Sequence, residues 1–192
     1  MSSIALQPDR GSQPPAQTSP ALSGVWVAVA AITMSFAAFT SSLIIRQASG
    51  DDWRHLTLPR ILYLNTVILL VSSLALEIAR RKGIGNLART RSWLYLTLAL
   101  GAAFLAGQAF AWHQLRTEGL YLATSPNSSF FYVLTVLHAL HVLGGLFGFI
   151  YVIRRTASAS VWRVAAVDAA AVYWHFLAGL WLYLLLVLRT RL

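Results

Sequence analysis

The chain has 192 residues, 57% of them hydrophobic and 11% charged, with no cysteine and a formal charge of +9. A soluble domain carries about a quarter charged residues, so this composition argues against a soluble enzyme or binding module. The missing cysteines exclude disulfides and thiolate metal sites. The basic residues lie between apolar runs, which is the pattern of a polytopic membrane protein rather than of a nucleic-acid binder.

Residues 1–21 are polar and hold four of the six prolines, Pro8, Pro14, Pro15 and Pro20. Such a segment buries too little apolar surface to order itself and reads as a disordered tail. It has no apolar core region, so it is not a cleaved signal peptide. Five runs then reach the roughly 20 apolar residues that a membrane helix needs: about 22–45, 59–79, 93–115, 130–153 and 169–188. Short connections predict antiparallel neighbours, hence an all-α domain of five transmembrane helices over 22–192. Trp53, Trp93, Trp112 and Trp162 fall near span ends, where aromatic side chains anchor at the interface. Basic residues set orientation. One side would carry Arg10, Arg80, Arg81, Lys82, Arg89, Arg91, Arg154, Arg155 and Arg163. The other would carry Arg46, Arg54, Arg60, Arg116, Arg189 and Arg191. The richer side predicts a cytoplasmic N-terminus and a C-terminus outside.

There is no nucleotide-binding glycine loop, nucleophile elbow or zinc-protease helix motif. Chemistry would have to come from polar groups within the spans. His138 and His141 are the first candidates, because ionisable groups at membrane depth are costly and rarely accidental. Their i, i+3 spacing places both on one side of the fourth helix, so they would not clamp one haem by themselves. With His175 they define a conceivable three-histidine metal or haem site. The alternative is hydrogen bonding to neighbouring helices or to a lipid headgroup. Gly144 and Gly148 form a small-xxx-small face, with Gly145 between them, and Ala103 with Gly107 offers another. Glu77 and Asp168 near the predicted cytoplasmic edge could take up protons, although Glu77 is placed to pair with Arg80 or Arg81. Asn65 and Gln108 are expected to bond between helices.

Four segments carry a resemblance. Residues 58–73 and 104–112 resemble spans of subunit III of the haem–copper oxidases. The run Phe131-Tyr132 followed by His138-Ala139-Leu140-His141-Val142-Leu143-Gly144-Gly145 resembles that family's signature helix. Tyr173-Trp174-His175-Phe176, followed by Trp181, resembles its last helix. The four occur in the family's order, and the likeness covers about residues 22–188, in the five-span form common in bacterial enzymes. It implies a non-catalytic subunit of a terminal oxidase in the bacterial plasma membrane. Such a subunit lies beside subunit I, with subunit II in the same complex, and supports enzyme stability and proton uptake. Haem and copper would belong to partner subunits, and a V-shaped cleft here would hold structural phospholipid. His138, His141, Trp174 and His175, joined by Arg60 and Asn65, are the expected lipid-contacting or structural polar residues. Related subunits accompany quinol oxidases and nitric oxide reductases, so the identity of the partner stays open. The acid that the family often carries in its first helix is matched here by Ile32, and the aspartate of its last-helix motif by Ala178. A proton relay through this subunit is therefore not expected.

Overall fold

A computed structural model describes residues 20–49, 58–82, 87–121, 125–155 and 160–191. The expected tail lies outside these up to residue 19, as do Trp53 and the charged loop around it. Five helices run in chain order: α1 (Pro20–Ala48), α2 (Ile61–Lys82), α3 (Leu87–Thr117), α4 (Pro126–Arg155) and α5 (Ser160–Arg191). All five are long and apolar enough to cross a membrane. Even α2, the shortest at 22 residues, reaches about 33 Å at 1.5 Å per residue, which covers a hydrocarbon core of about 30 Å.

Local chemistry sets the ends. Proline opens α1 and α4, where its missing N–H and fixed φ cost nothing. Ser125 caps α4: its Oγ accepts from the Ser128 N–H at 3.3 Å, and the Ser128 Oγ accepts from the Ser125 N–H at 3.1 Å. This is a capping box with serine in both roles. α3 stops at Gly119, whose φ of +80° is the left-handed conformation that a Cβ disfavours. The Gly119 N–H reaches the Arg116 carbonyl at 3.0 Å, and the Leu120 N–H reaches the Leu115 carbonyl at 3.0 Å. That pair of bonds is a Schellman motif. The freed Leu120 carbonyl accepts the Tyr132 hydroxyl at 2.9 Å, tying the α3 end to α4.

α5 is the hub and packs against α1, α2 and α4, while α3 closes the other side against α2 and α4. α3 buries one stripe at alternating steps of four and three: Thr90, Leu94, Thr97, Gly101, Phe104, Gln108, Ala111 and Leu115. That is the spacing of a left-handed seam. Gly101 lets the helices approach, since a Cβ there would fall 2.7 Å from Leu146 and 2.8 Å from Trp174. α1 is peripheral. It buries Ile32, Phe36, Thr40 and Leu43 and exposes Trp26, Val27, Met34 and Ile45.

Candidate functional site

The helices are joined by a polar seam between α2 and α5. Trp174 and Trp181, two turns apart, are both fully buried. The Trp174 indole N–H donates to the Ser72 hydroxyl at 3.1 Å, and the Trp181 N–H donates to the Thr66 hydroxyl at 3.0 Å. Each hydroxyl passes its own proton to a carbonyl: Ser72 to Thr97 on α3 at 3.2 Å, Thr66 to Leu62 at 2.8 Å. A hydroxyl donates and accepts at once, so it can serve an indole where no water is at hand. One residue on in each helix, His175 Nδ1 lies 2.5 Å from the Ser73 hydroxyl, and its Nε2 lies 3.3 Å from the Glu77 carboxylate, a turn nearer the α2 C-terminus. Glu77 also accepts two bonds from Arg80, at 2.8 and 2.9 Å, and one from Arg81. Arg80 reaches Asp168 of α5 at 3.7 Å. Both acids are thus engaged in pairing.

His138 and His141 part company. His138 is fully buried, its ring edge-on to Phe104 of α3 at 5.8 Å and tilted over Trp181 of α5 at 5.2 Å. Neither of its ring nitrogens has a hydrogen-bond partner. His141 is half-buried and turns toward α1, with its ring 5.8 Å from Phe36. Its Nδ1–H donates to the Leu137 carbonyl at 2.7 Å, and its own carbonyl accepts the Tyr173 hydroxyl at 3.1 Å. The single shared face expected from the sequence is corrected: three helical steps differ by about 60° in azimuth, enough to send one ring inward and the other toward a different helix.

The three-histidine cluster is corrected too. His175 sits with Ser73 and Glu77, six residues and about 9 Å along α5 from the Trp181 that touches His138. Among the described residues no group of three or more His, Asp or Glu side chains is placed to hold a metal ion.

The remaining expected site residues are spread through the bundle. Trp174 is core, packed edge-on against Phe149 at 4.9 Å, and offers lipid no surface. Asn65 is buried too, its amide donating to the Phe104 carbonyl of α3 at 3.4 Å. Its Oδ1 occupies the space where a Cβ on Gly107 would stand, at 2.0 Å. Arg60 is exposed just before α2, on a groove of about 550 Å³ shared with Phe110 and Gln114 of α3 and with Glu118 just beyond it. The six residues therefore do not form one site. Ile32 and Ala178, at the acid positions of the resembled family, are buried apolar packing.

The small-residue face is also redistributed. Gly145 is the close contact, where a Cβ would meet Tyr173 and Trp174 at 3.1 Å, whereas Gly144 and Gly148 have no neighbour within 4 Å. All three line a cleft of about 410 Å³ between the α1 start, the second half of α4 and the first half of α5, with Val25, Phe149, Ala166 and Tyr173 among its walls. Missing side chains at Gly144 and Gly148 keep it open.

Sequence reasoning missed the hydroxyl partners Thr66, Ser72 and Ser73, and Thr135, which accepts the Trp112 indole at 3.1 Å. A signal existed. Trp174 and Trp181 are seven apart, and two hydroxyl residues six apart lie on the one stripe of α2 that also carries Leu62, Leu69 and Leu76.

Among the described residues an all-helical bundle of five membrane-length spans, with a hydroxyl–indole seam and an open cleft, defines a multi-pass membrane protein. Residues 23–190 match the family model of cytochrome c oxidase subunit III, and the chain belongs to that family. It is similar to the cytochrome c oxidase subunit 3 of Corynebacterium diphtheriae, 32% identical over 168 residues that cover 81% of this chain and 80% of the relative. The probable cytochrome c oxidase subunit 3 of Nocardia farcinica is 35% identical over 122 residues, 61% of this chain and 59% of that one. The subunit 3 of Thermostichus vulcanus is 35% identical over 136 residues, 67% of this chain and 65% of its own length. The matched stretch thus spans about three-fifths to four-fifths of these relatives. Membership places the chain among the subunit III proteins of cytochrome c oxidases.

Proposed function

We propose that this chain is the subunit III of a bacterial terminal oxidase of the haem–copper type, seated in the plasma membrane directly beside subunit I, with subunit II in the same complex. Haem and copper then reside in the partners. This chain contributes a rigid helical wall and a phospholipid held in the α1–α4–α5 cleft. The observation that carries this is the cleft itself. It opens laterally and is walled by glycine, alanine and aromatic side chains, the surface an acyl chain covers favourably. The basic count supports an inward N-terminus; with that orientation the cleft lies toward the cytoplasmic half, where a retained lipid would steady the wall near proton entry into subunit I.

The test is gentle detergent purification through a tag on this chain. Expected are a large haem-containing partner, a haem spectrum that follows that partner, and a stoichiometric phospholipid. A haem or metal signal that stays with the isolated chain would overturn the reading.

A further inference from the structure

Two of the bundle's most deeply buried polar side chains are Gln108 of α3 and His138 of α4, both fully shielded from solvent. Gln108 leaves its amide nitrogen and oxygen unpaired, and His138 leaves both ring nitrogens unpaired. A primary amide offers two donors and a two-lone-pair acceptor, and a neutral imidazole offers one of each. Buried polar groups without partners are rare enough that each calls for an explanation. No neighbouring subunit can supply one here, because both side chains are enclosed by this chain's own helices.

The helix register places the two at one level. α3 and α4 run antiparallel, with Trp112 bonded to Thr135 and Gly101 against Leu146. Counting between those two contacts sets residue 108 opposite 138–139. Phe104, one turn from Gln108 on the same buried stripe, has its ring against His138. The same layer takes Asn65 from α2, bonded to the Phe104 carbonyl, and Trp181 from α5, over the His138 ring. Four helices thus converge on a layer that holds more hydrogen-bonding capacity than its own side chains consume.

We propose that this layer is an internal hydration site, in which at least one ordered water bridges the Gln108 amide to a ring nitrogen of His138. A buried water needs two to four polar partners, and the two side chains supply them. Water fits the chemistry better than a metal, since Gln108 is a weak ligand and, among the described residues, no group of three or more His, Asp or Glu side chains is placed to hold an ion. A lipid headgroup is excluded by the enclosure.

The test is a density map of the complex purified through this chain, at a resolution that shows ordered water, with Gln108→Met and His138→Leu prepared singly and together. Expected is a peak within hydrogen-bond distance of both side chains. The single variants should each lower the melting temperature, and the double variant should lower it no further than the worse single. A direct Gln108–His138 bond, a dry contact, or fully additive shifts would overturn the proposal. If the variants fail to assemble, the wild-type map alone decides.

Discussion

Adding one methyl group at Gly107 tests how tightly α2 and α3 are keyed. An ideal Cβ there lies 2.0 Å from Asn65 Oδ1, 2.9 Å from its Cγ and 3.0 Å from its Nδ2. Both backbones are helical and packed, so Asn65 must swing away and give up its bond to the Phe104 carbonyl. Overpacking costs about 1–3 kcal/mol, and the lost hydrogen bond adds about 0.5–1.5 kcal/mol. Replacing a mid-helix glycine by alanine returns roughly 0.5–1 kcal/mol. The expected net loss for Gly107→Ala is about 0.5–4 kcal/mol, or roughly 1–16 °C at about 2–4 °C per kcal/mol for a chain of this size. In an Asn65→Ala background the obstacle is gone, and the same change should be neutral or slightly stabilising. Thermal unfolding followed by tryptophan fluorescence in detergent reads both backgrounds. Equal losses with and without Asn65 would refute the keyed contact.

Trp174→Phe keeps an aromatic ring against Phe149 but loses the indole bond to the Ser72 hydroxyl, which still donates to the Thr97 carbonyl, and should cost about 0.5–1.5 kcal/mol for the lost bond, measured in the same unfolding assay. Gly148→Leu should leave the unfolding free energy within about 0.5 kcal/mol of wild type, as surface changes do, yet displace cleft lipid, whereas Gly145→Leu should drive into Tyr173 and Trp174 and destabilise by about 1–3 kcal/mol. Mass spectrometry of co-purified phospholipid beside unfolding curves separates the two. Equal lipid retention in Gly148→Leu and wild type would count against the cleft as the lipid seat.

The five spans were legible because each crosses hydrocarbon with an apolar run that nothing else in a chain of this size explains. Their ends were read short. The first apolar run covers about 22–45 but the helix runs Pro20–Ala48, and the fifth covers about 169–188 but the helix runs Ser160–Arg191. Hydropathy measures the length in lipid, while the backbone keeps coiling into the polar border. The candidate site was legible in depth and not in azimuth. Spacing shows that His138 and His141 lie at one level of α4, but the 60° between them divides Phe104 from Phe36 as neighbours. The pairing of Glu77 with Arg80 and Arg81 was readable because it lies within one helix. Trp174 with Ser72 spans 102 residues, and no local pattern announces which helix will stand across the way.

α5, which packs against α1, α2 and α4 and sets its tryptophans against α3, is the last of the five helices to leave the ribosome. Until it arrives, Thr66 and Ser72 have no indoles to accept from, Gly145 has no tryptophan to lie against, and α1 has lost its principal neighbour. The first four helices therefore wait in the bilayer as an unfinished ring, and insertion of the fifth is the step that converts them into a closed bundle. A chain that stops before Trp174 leaves the Ser72 and Thr66 hydroxyls without their indole donors, and the α2 face of the seam stays open.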